Sequence, residues 1–212
     1  MTGMGPYLTH FLVSLSAVFF VVDPIGVVPI FLAITAGDSA EKMRRTALRA
    51  CLVAGGLLLF FALFGGVIFQ VFGVSLAAFR VAGGILLLIT ALDMLRARPS
   101  ETRTSHTEQQ EGAHKEDVAL VPLAMPLLAG PGAIASAMVL MSKGETLTMA
   151  LPVLAAIVLT FVASYFILRA SHLVQRVLKQ SGVAILERVM GLILAAIAVQ
   201  FIADGAKDLL SR

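Results

Sequence analysis

Uncharged apolar stretches alternate with short polar connections along almost the whole chain. Between residues 7 and 35 the only acidic or basic side chains are Asp23 and His10. Residues 51–79 carry no charge, nor do 81–92, 118–142, 146–168 and 189–203. A helix needs about 20 apolar residues to cross the hydrocarbon core of a bilayer. The pattern therefore predicts six transmembrane helices, over about 7–36, 46–71, 76–95, 119–141, 147–169 and 184–204, with a turn near Gly73-Val74-Ser75. The first stretch is too long for a straight span. About 29 residues would extend roughly 43 Å against a core of about 30 Å, so it must be tilted, broken or partly re-entrant.

Two of these stretches are interrupted in the middle, and the interruptions repeat. Val22-Asp23-Pro24-Ile25-Gly26-Val27-Val28-Pro29 breaks the first, and Leu128-Ala129-Gly130-Pro131-Gly132-Ala133 breaks the fourth. Further on, Arg80-Val81-Ala82-Gly83-Gly84-Ile85-Leu86 aligns with Arg188-Val189-Met190-Gly191-Leu192-Ile193-Leu194. The chain thus reads as two copies of a three-span unit, 1–96 and 119–212, joined by a polar linker over 97–118 and packed as one bundle. An odd number of spans per copy turns the second copy upside down. The fold expected is an all-α membrane protein of two inverted-topology repeats, with broken helices in spans one and four. Interrupted helices at matching places in two such halves are the usual sequence mark of a transporter binding site.

Composition strengthens the membrane reading. Hydrophobic residues make up 58% of the 212 and charged residues 14%, against about 45–50% and about 25% in soluble domains. Mean hydropathy is +0.94. The net charge of +3 does not indicate nucleic acid, because the basic residues flank apolar spans, where membrane topology accounts for them. Four of the 16 lysines and arginines (Arg80, Lys143, Lys207 and Arg212) fall on one side of a six-span arrangement and the other twelve on the opposite side. Basic residues collect on the cytoplasmic side, so both termini are expected in the periplasm and the linker inside. No lysine or arginine precedes Lys42; without such a basic region, the first apolar stretch is expected to remain in the mature protein. The single cysteine, Cys51, reads as a packed thiol. The four histidines have no metal-ligand spacing, and no cofactor is expected.

The candidate chemistry lies in the breaks. A charge at the depth of Asp23 costs about 2.5–3.5 kcal/mol on insertion scales, so it should face the bundle interior or a wet cavity. It could bind a substrate ammonium or carry a coupling proton. It could equally be a helix cap, since Asp followed by Pro is a good helix start. The readings are compatible, because a cap at this depth requires a helix that stops and restarts. Pro24, Gly26 and Pro29 weaken the first helix. Gly130, Pro131 and Gly132 would start a half-helix whose amides and positive dipole end suit a carboxylate. Gln200 could close a polar network with them or serve helix packing. Arg80 and Arg188 begin spans three and six, and either snorkel to the headgroups or form a gating ion pair.

At Asp23–Phe31 the chain resembles the MarC family of six-span membrane proteins. The likeness returns at Arg80–Gly84, at Val121–Pro126 with Ala129–Gly132, at Arg188–Gly191 and at Val199–Phe201. The family's relatives are grouped with small neutral amino acid transporters and the lysine-exporter superfamily. The resemblance implies translocation of a small zwitterionic solute, as export driven by a proton or sodium gradient across the inner membrane. It departs at Val27, where the family pattern often carries Asn; a side-chain amide is missing from the first break, which puts a shared substrate in doubt. An alternative is a regulatory or binding membrane protein without a transport cycle. An enzyme is not expected, because only one carboxylate lies at mid-membrane depth, with no second acid or base beside it. Assembly into a homo-oligomer is left open.

Overall fold

A computed structural model of the chain describes residues 5–96, 119–142 and 147–211. The linker expected at 97–118 lies outside the described residues. Those residues form helices and turns, with no strand among them. The elements run α1 (Pro6–Val22), α2 (Val27–Ile34), α3 (Ala40–Phe72), α4 (Leu76–Leu95), an irregular, interrupted π-helical coil Ala119–Leu128, α5 (Pro131–Ser142), α6 (Leu147–Arg169) and α7 (Ser171–Leu210).

Among the described residues, four stretches are long and apolar enough to cross a membrane: Ala40–Ile68, Leu76–Leu95, Ala150–Arg169 and Ser181–Leu210. The pair Tyr7–Val22 and Val27–Ile34, bent by 44°, makes up to a fifth. The bounds expected for spans three and five match α4 and α6, and the turn after α3 falls at Gly73, where φ is +64°. Ser75 then caps α4, its Oγ accepting from the Ala78 N–H at 3.1 Å.

The stretch read as span four differs. It holds the irregular coil followed by a helix of 12 residues. The reason is local. Val121 (φ −132°, ψ 123°) and Met125 (φ −134°, ψ 124°) are extended, and each immediately precedes a proline, which disfavours the helical region for the residue before it. Four residues apart, these two kinks prevent a regular helical ladder. The last element also differs in detail. α7 bends at Lys179 (φ 53°, ψ 179°), so residues 171–178 form a separate arm ahead of the long apolar part.

The strongest packing runs between the two halves of the chain. α4 lies along α7, α1 against α6, and α3 against α5, α6 and the 119–128 coil. Small residues let α4 and α7 approach. A Cβ at Gly84 would sit 2.7 Å from Ile202 Cγ1 and 2.9 Å from the Ala198 carbonyl oxygen, and one at Gly191 would sit 2.9 Å from Met94 Cβ. The fully buried side chains include Val22, Val27 and Val28 at the first break, Leu123 and Leu128 before the second, Leu58 of α3 and Ile157 of α6. The outer faces are apolar too, with Leu52, Leu192 and Phe166 more than half exposed. Such a surface suits lipid rather than water.

Candidate functional site

The first break is organised by Asp23. Its backbone N–H closes α1 on the Phe19 carbonyl at 2.9 Å. The residue then takes the left-handed conformation, φ 50° and ψ 60°, which Asp tolerates better than most side chains. From there the carboxylate reaches forward, and Oδ1 accepts the Gly26 N–H at 3.1 Å. The Asp23 carbonyl accepts from the Val27 N–H at 3.3 Å. One residue therefore ends α1 and caps the turn into α2, and it is 2% exposed. Gly26 is required by the same contact, because a Cβ there would lie 2.3 Å from Asp23 Oδ2. Pro24 is buried. Pro29 is exposed and sits in the first turn of α2, where its missing N–H costs little.

The second break has a different construction. The Ala129 N–H bonds to the Ala124 carbonyl at 2.9 Å, one residue further back than in an α-helix. The chain restarts at Gly130, whose carbonyl accepts from Ile134 at 3.1 Å. Pro131 takes the first helical position, which suits its fixed φ and absent donor.

The two breaks adjoin. Gly132 packs so closely that an added Cβ would meet Leu87 Cδ2 at 2.9 Å and Val21 Cγ1 at 3.9 Å. Val21 at the end of α1, Leu86 and Thr90 of α4, Leu127 and Gly130 to Ala133 line a cavity of about 170 Å³; Asp23, Pro24, Gly26 and Pro29 of the first break are not in its lining. That is well under the roughly 300–1,000 Å³ of pockets that take drug-sized ligands, so only a small solute would fit. Its walls are backbone and apolar side chains. The Thr90 hydroxyl is spent on the Leu86 carbonyl at 3.0 Å.

The remaining candidates separate from this site. Gln200 is exposed on α7, where its Nε2 donates to Asp204 Oδ1 at 2.7 Å, one turn along the same helix. It is not brought to the breaks. Arg188 is exposed. Arg80 is not: its side chain is 13% exposed, and its Nη1 pairs with Asp208 Oδ2 at 2.6 Å. Nη2 also reaches Ser142 Oγ at 3.4 Å. The start of α4 and the ends of α5 and α7 are thus tied at one end of the bundle. Asp208 and Ser142 were invisible to sequence reasoning, since only the packing of α4 along α7 joins residues so far apart. Val21 and Leu87 escaped for the same reason.

A model of the MarC family of integral membrane proteins matches residues 8–210. The chain belongs to the MarC family. The match takes in both breaks, the Arg80 and Arg188 segments and all the described helices almost to their ends. MarC relatives extend across bacteria and archaea. A UPF0056 membrane protein of Methanocaldococcus jannaschii is 39% identical over 204 residues, covering 96% of this chain and 98% of its own. The UPF0056 membrane protein YvbG of Bacillus subtilis is 35% identical, covering 97% of each chain. YhcE of Escherichia coli is 35% identical over 90% of this chain and 89% of its own. No solved structure matches. With the family and the apolar helices together, this MarC protein is an integral, multi-pass, helical membrane protein.

Proposed function

We propose that this protein is a secondary transporter of small neutral amino acids, working as an ion-gradient-driven exporter in the inner membrane. The observation that carries the reading is the meeting of two broken helices around one small cavity. Irregular backbone is tolerated at membrane depth where it is buried in protein or lines a cavity, and in transporters it forms the substrate site. In this reading the amides of the first turn of α5, with its positive dipole end, hold the substrate carboxylate. Asp23 serves the ammonium or the coupling proton, and Thr90 and the apolar wall limit the side chain to a small one.

The packing supports an inverted pair of three-span repeats. In the 108-residue offset the 119–128 coil stands for α1, α5 for α2, α6 for α3 and α7 for α4. The contact of α1 with α6 then has its mate in that of the coil with α3. The contact of α2 with α7 has its mate in α5 with α4. α3 with α6 and α4 with α7 are their own mates. Alternating access would rock one repeat against the other, with the Arg80–Asp208 pair as the gate at one end and Arg188 at the lipid interface. On this reading both termini are periplasmic, which the clustering of basic residues at the other ends of the helices supports.

The test is flux of labelled alanine, glycine and serine in proteoliposomes, with and without an imposed proton or sodium gradient. The reading expects saturable flux that one of the gradients drives. Protein that is folded and correctly inserted yet moves none of the three, under either gradient, would sink it and favour a binding or regulatory role.

A further inference from the structure

A larger cavity, of about 440 Å³, opens at the end of the bundle away from Arg80. It lies where the α2–α3 connection meets the α6–α7 junction. Its polar lining is Asp38, Glu41, Arg44, Arg169 and His172. Each of the two carboxylates is paired with a basic side chain four residues further on. Lys42 Nζ holds Asp38 Oδ1 at 2.7 Å, and Arg45 holds Glu41. Among the described residues no ion pair or hydrogen bond engages the side chains of Arg44, Arg169 or His172. The cavity thus brings together two guanidinium groups and an imidazole that make no such contact, from the start of α3, the last residue of α6 and the first turn of α7, beside two carboxylates that are each paired elsewhere.

The donor set points to one kind of ligand. Guanidinium groups present planar, paired N–H donors that match phosphate oxygens, and two of them can share one phosphate. A neutral imidazole adds one N–H. The N-cap of α7 is Ala170, which provides no side-chain acceptor. The first turn of α7, which follows α6 after the single residue Ala170, brings His172 into the same lining as Arg169. Beside it, Leu173 and Val177 lie on one face of the short arm before Lys179, 61% and 70% exposed.

We propose that Arg44, Arg169 and His172 form a binding site for a phosphate group, separate from the cavity between the helix breaks. The phosphate can come from solution or from the headgroup of an anionic phospholipid, whose acyl chains Leu173 and Val177 would meet. The site does not depend on what the protein transports.

Full-length protein in an uncharged maltoside detergent provides the test, with thermal unfolding as the readout. One arm titrates potassium phosphate against potassium chloride at matched ionic strength. The other adds dioleoyl phosphatidylglycerol against dioleoyl phosphatidylcholine to the same micelles. Saturable stabilisation by phosphate over chloride supports the site with a soluble ligand. Stabilisation by phosphatidylglycerol over phosphatidylcholine, with no response to phosphate, supports it with a lipid ligand. In either case Arg44→Gln and Arg169→Gln should each raise the half-saturating concentration at least tenfold. Lys207→Gln, at the far end of α7, should leave it unchanged. If an arginine variant does not fold, His172→Ala removes an exposed ring and should raise the concentration at least threefold. The proposal is overturned if the wild-type protein does not distinguish phosphate from chloride or phosphatidylglycerol from phosphatidylcholine. It is equally overturned if the folded variants respond as the wild type does.

Discussion

At the scale of single residues, Asp23 joins structure to proposed chemistry, and the two can be separated. Its conformation at φ 50° is one that Asp and Asn tolerate and that costs other side chains roughly 1–2 kcal/mol. Its carboxylate caps the Gly26 amide. Asp23→Asn should therefore keep the fold, with stability within about 0.5 kcal/mol of wild type, because Asn caps about as well as Asp. Asp23→Ala loses the cap and should cost roughly 1–2 kcal/mol in reversible unfolding. Gly26→Ala forces the carboxylate away, so it should remove much of the same contact. Asp23→Ala and Gly26→Ala together should then cost less than their sum, as mutations sharing one interaction do. Simple addition would show that the contact does not hold the turn. Amino acid flux separates the roles further. If Asp23 serves substrate or proton, Asp23→Asn loses at least tenfold in rate, about 1.4 kcal/mol, while remaining folded. Wild-type flux in that variant would leave Asp23 a cap and nothing more. The Asp-Pro pair reads in the sequence as a helix start, with Asp as cap and Pro in the first position; in the structure Asp23 is the C-cap of α1, Pro24 lies in the turn, and α2 starts at Val27 with Gly26 as its N-cap. That Asp23 also closes the helix before it was not legible, because this depends on the direction in which α2 leaves.

At the scale of elements, hydropathy located the apolar segments and was blind to their hydrogen bonding. Residues 118–142 are as uncharged as any span, yet two extended residues turn their first half into a coil. The signal was present in the residues before Pro122 and Pro126, and the spacing of those prolines carries more information there than the apolar content does. The glycines of α4 and α7 tell a similar story. Their abundance predicts close helix contact, but only the structure pairs Gly84 with Ala198 and Ile202, and Gly191 with Ala91 and Met94. Because part of what faces Gly191 is backbone, the Ala91 carbonyl at 3.1 Å and the Leu95 amide at 3.3 Å, the neighbours cannot rotate aside. Gly191→Val should cost roughly 1–3 kcal/mol through overpacking, measured by thermal unfolding in detergent. Gly56, with nothing within 4 Å of an added Cβ, is the control; Gly56→Ala should be neutral or slightly stabilising, since Ala is the better helix former. Equal effects at the two positions would mean that α4 and α7 are not closely packed.

At the scale of the molecule, the helices sort their connections to two ends. The α2–α3 connection and the α6–α7 junction share the charged cavity, so they lie together. The start of α4 and the ends of α5 and α7 are tied by Arg80, Asp208 and Ser142, so they lie at the other end. That tie is testable as a gate. Arg80 is largely buried but Asp208 is half exposed, so water screens the Asp208 charge and limits what it contributes to about 1 kcal/mol. Asp208→Asn should therefore lower unfolding stability only slightly while changing the balance between closed and open states, seen as a changed half-saturating substrate concentration. Unchanged flux parameters would make the pair a structural tie alone. The basic residues sort with the ends. Among the described residues Lys42, Arg44, Arg45, Arg49, Arg96, Arg169, Arg176, Lys179 and Arg188 belong to the first end, and Arg80 and Lys207 to the second. The cytoplasmic side collects such residues, so the first end should face inward and the C-terminus outward. Cysteines at Ser39 and Ser211, each exposed and at opposite ends, decide this in a Cys51→Ser background. An impermeant maleimide applied to intact cells should label position 211 at once and position 39 only after permeabilisation. Labelling of 39 but not 211 would reverse the orientation, and labelling of both or neither from outside would mean that the two ends do not lie on opposite sides of the membrane.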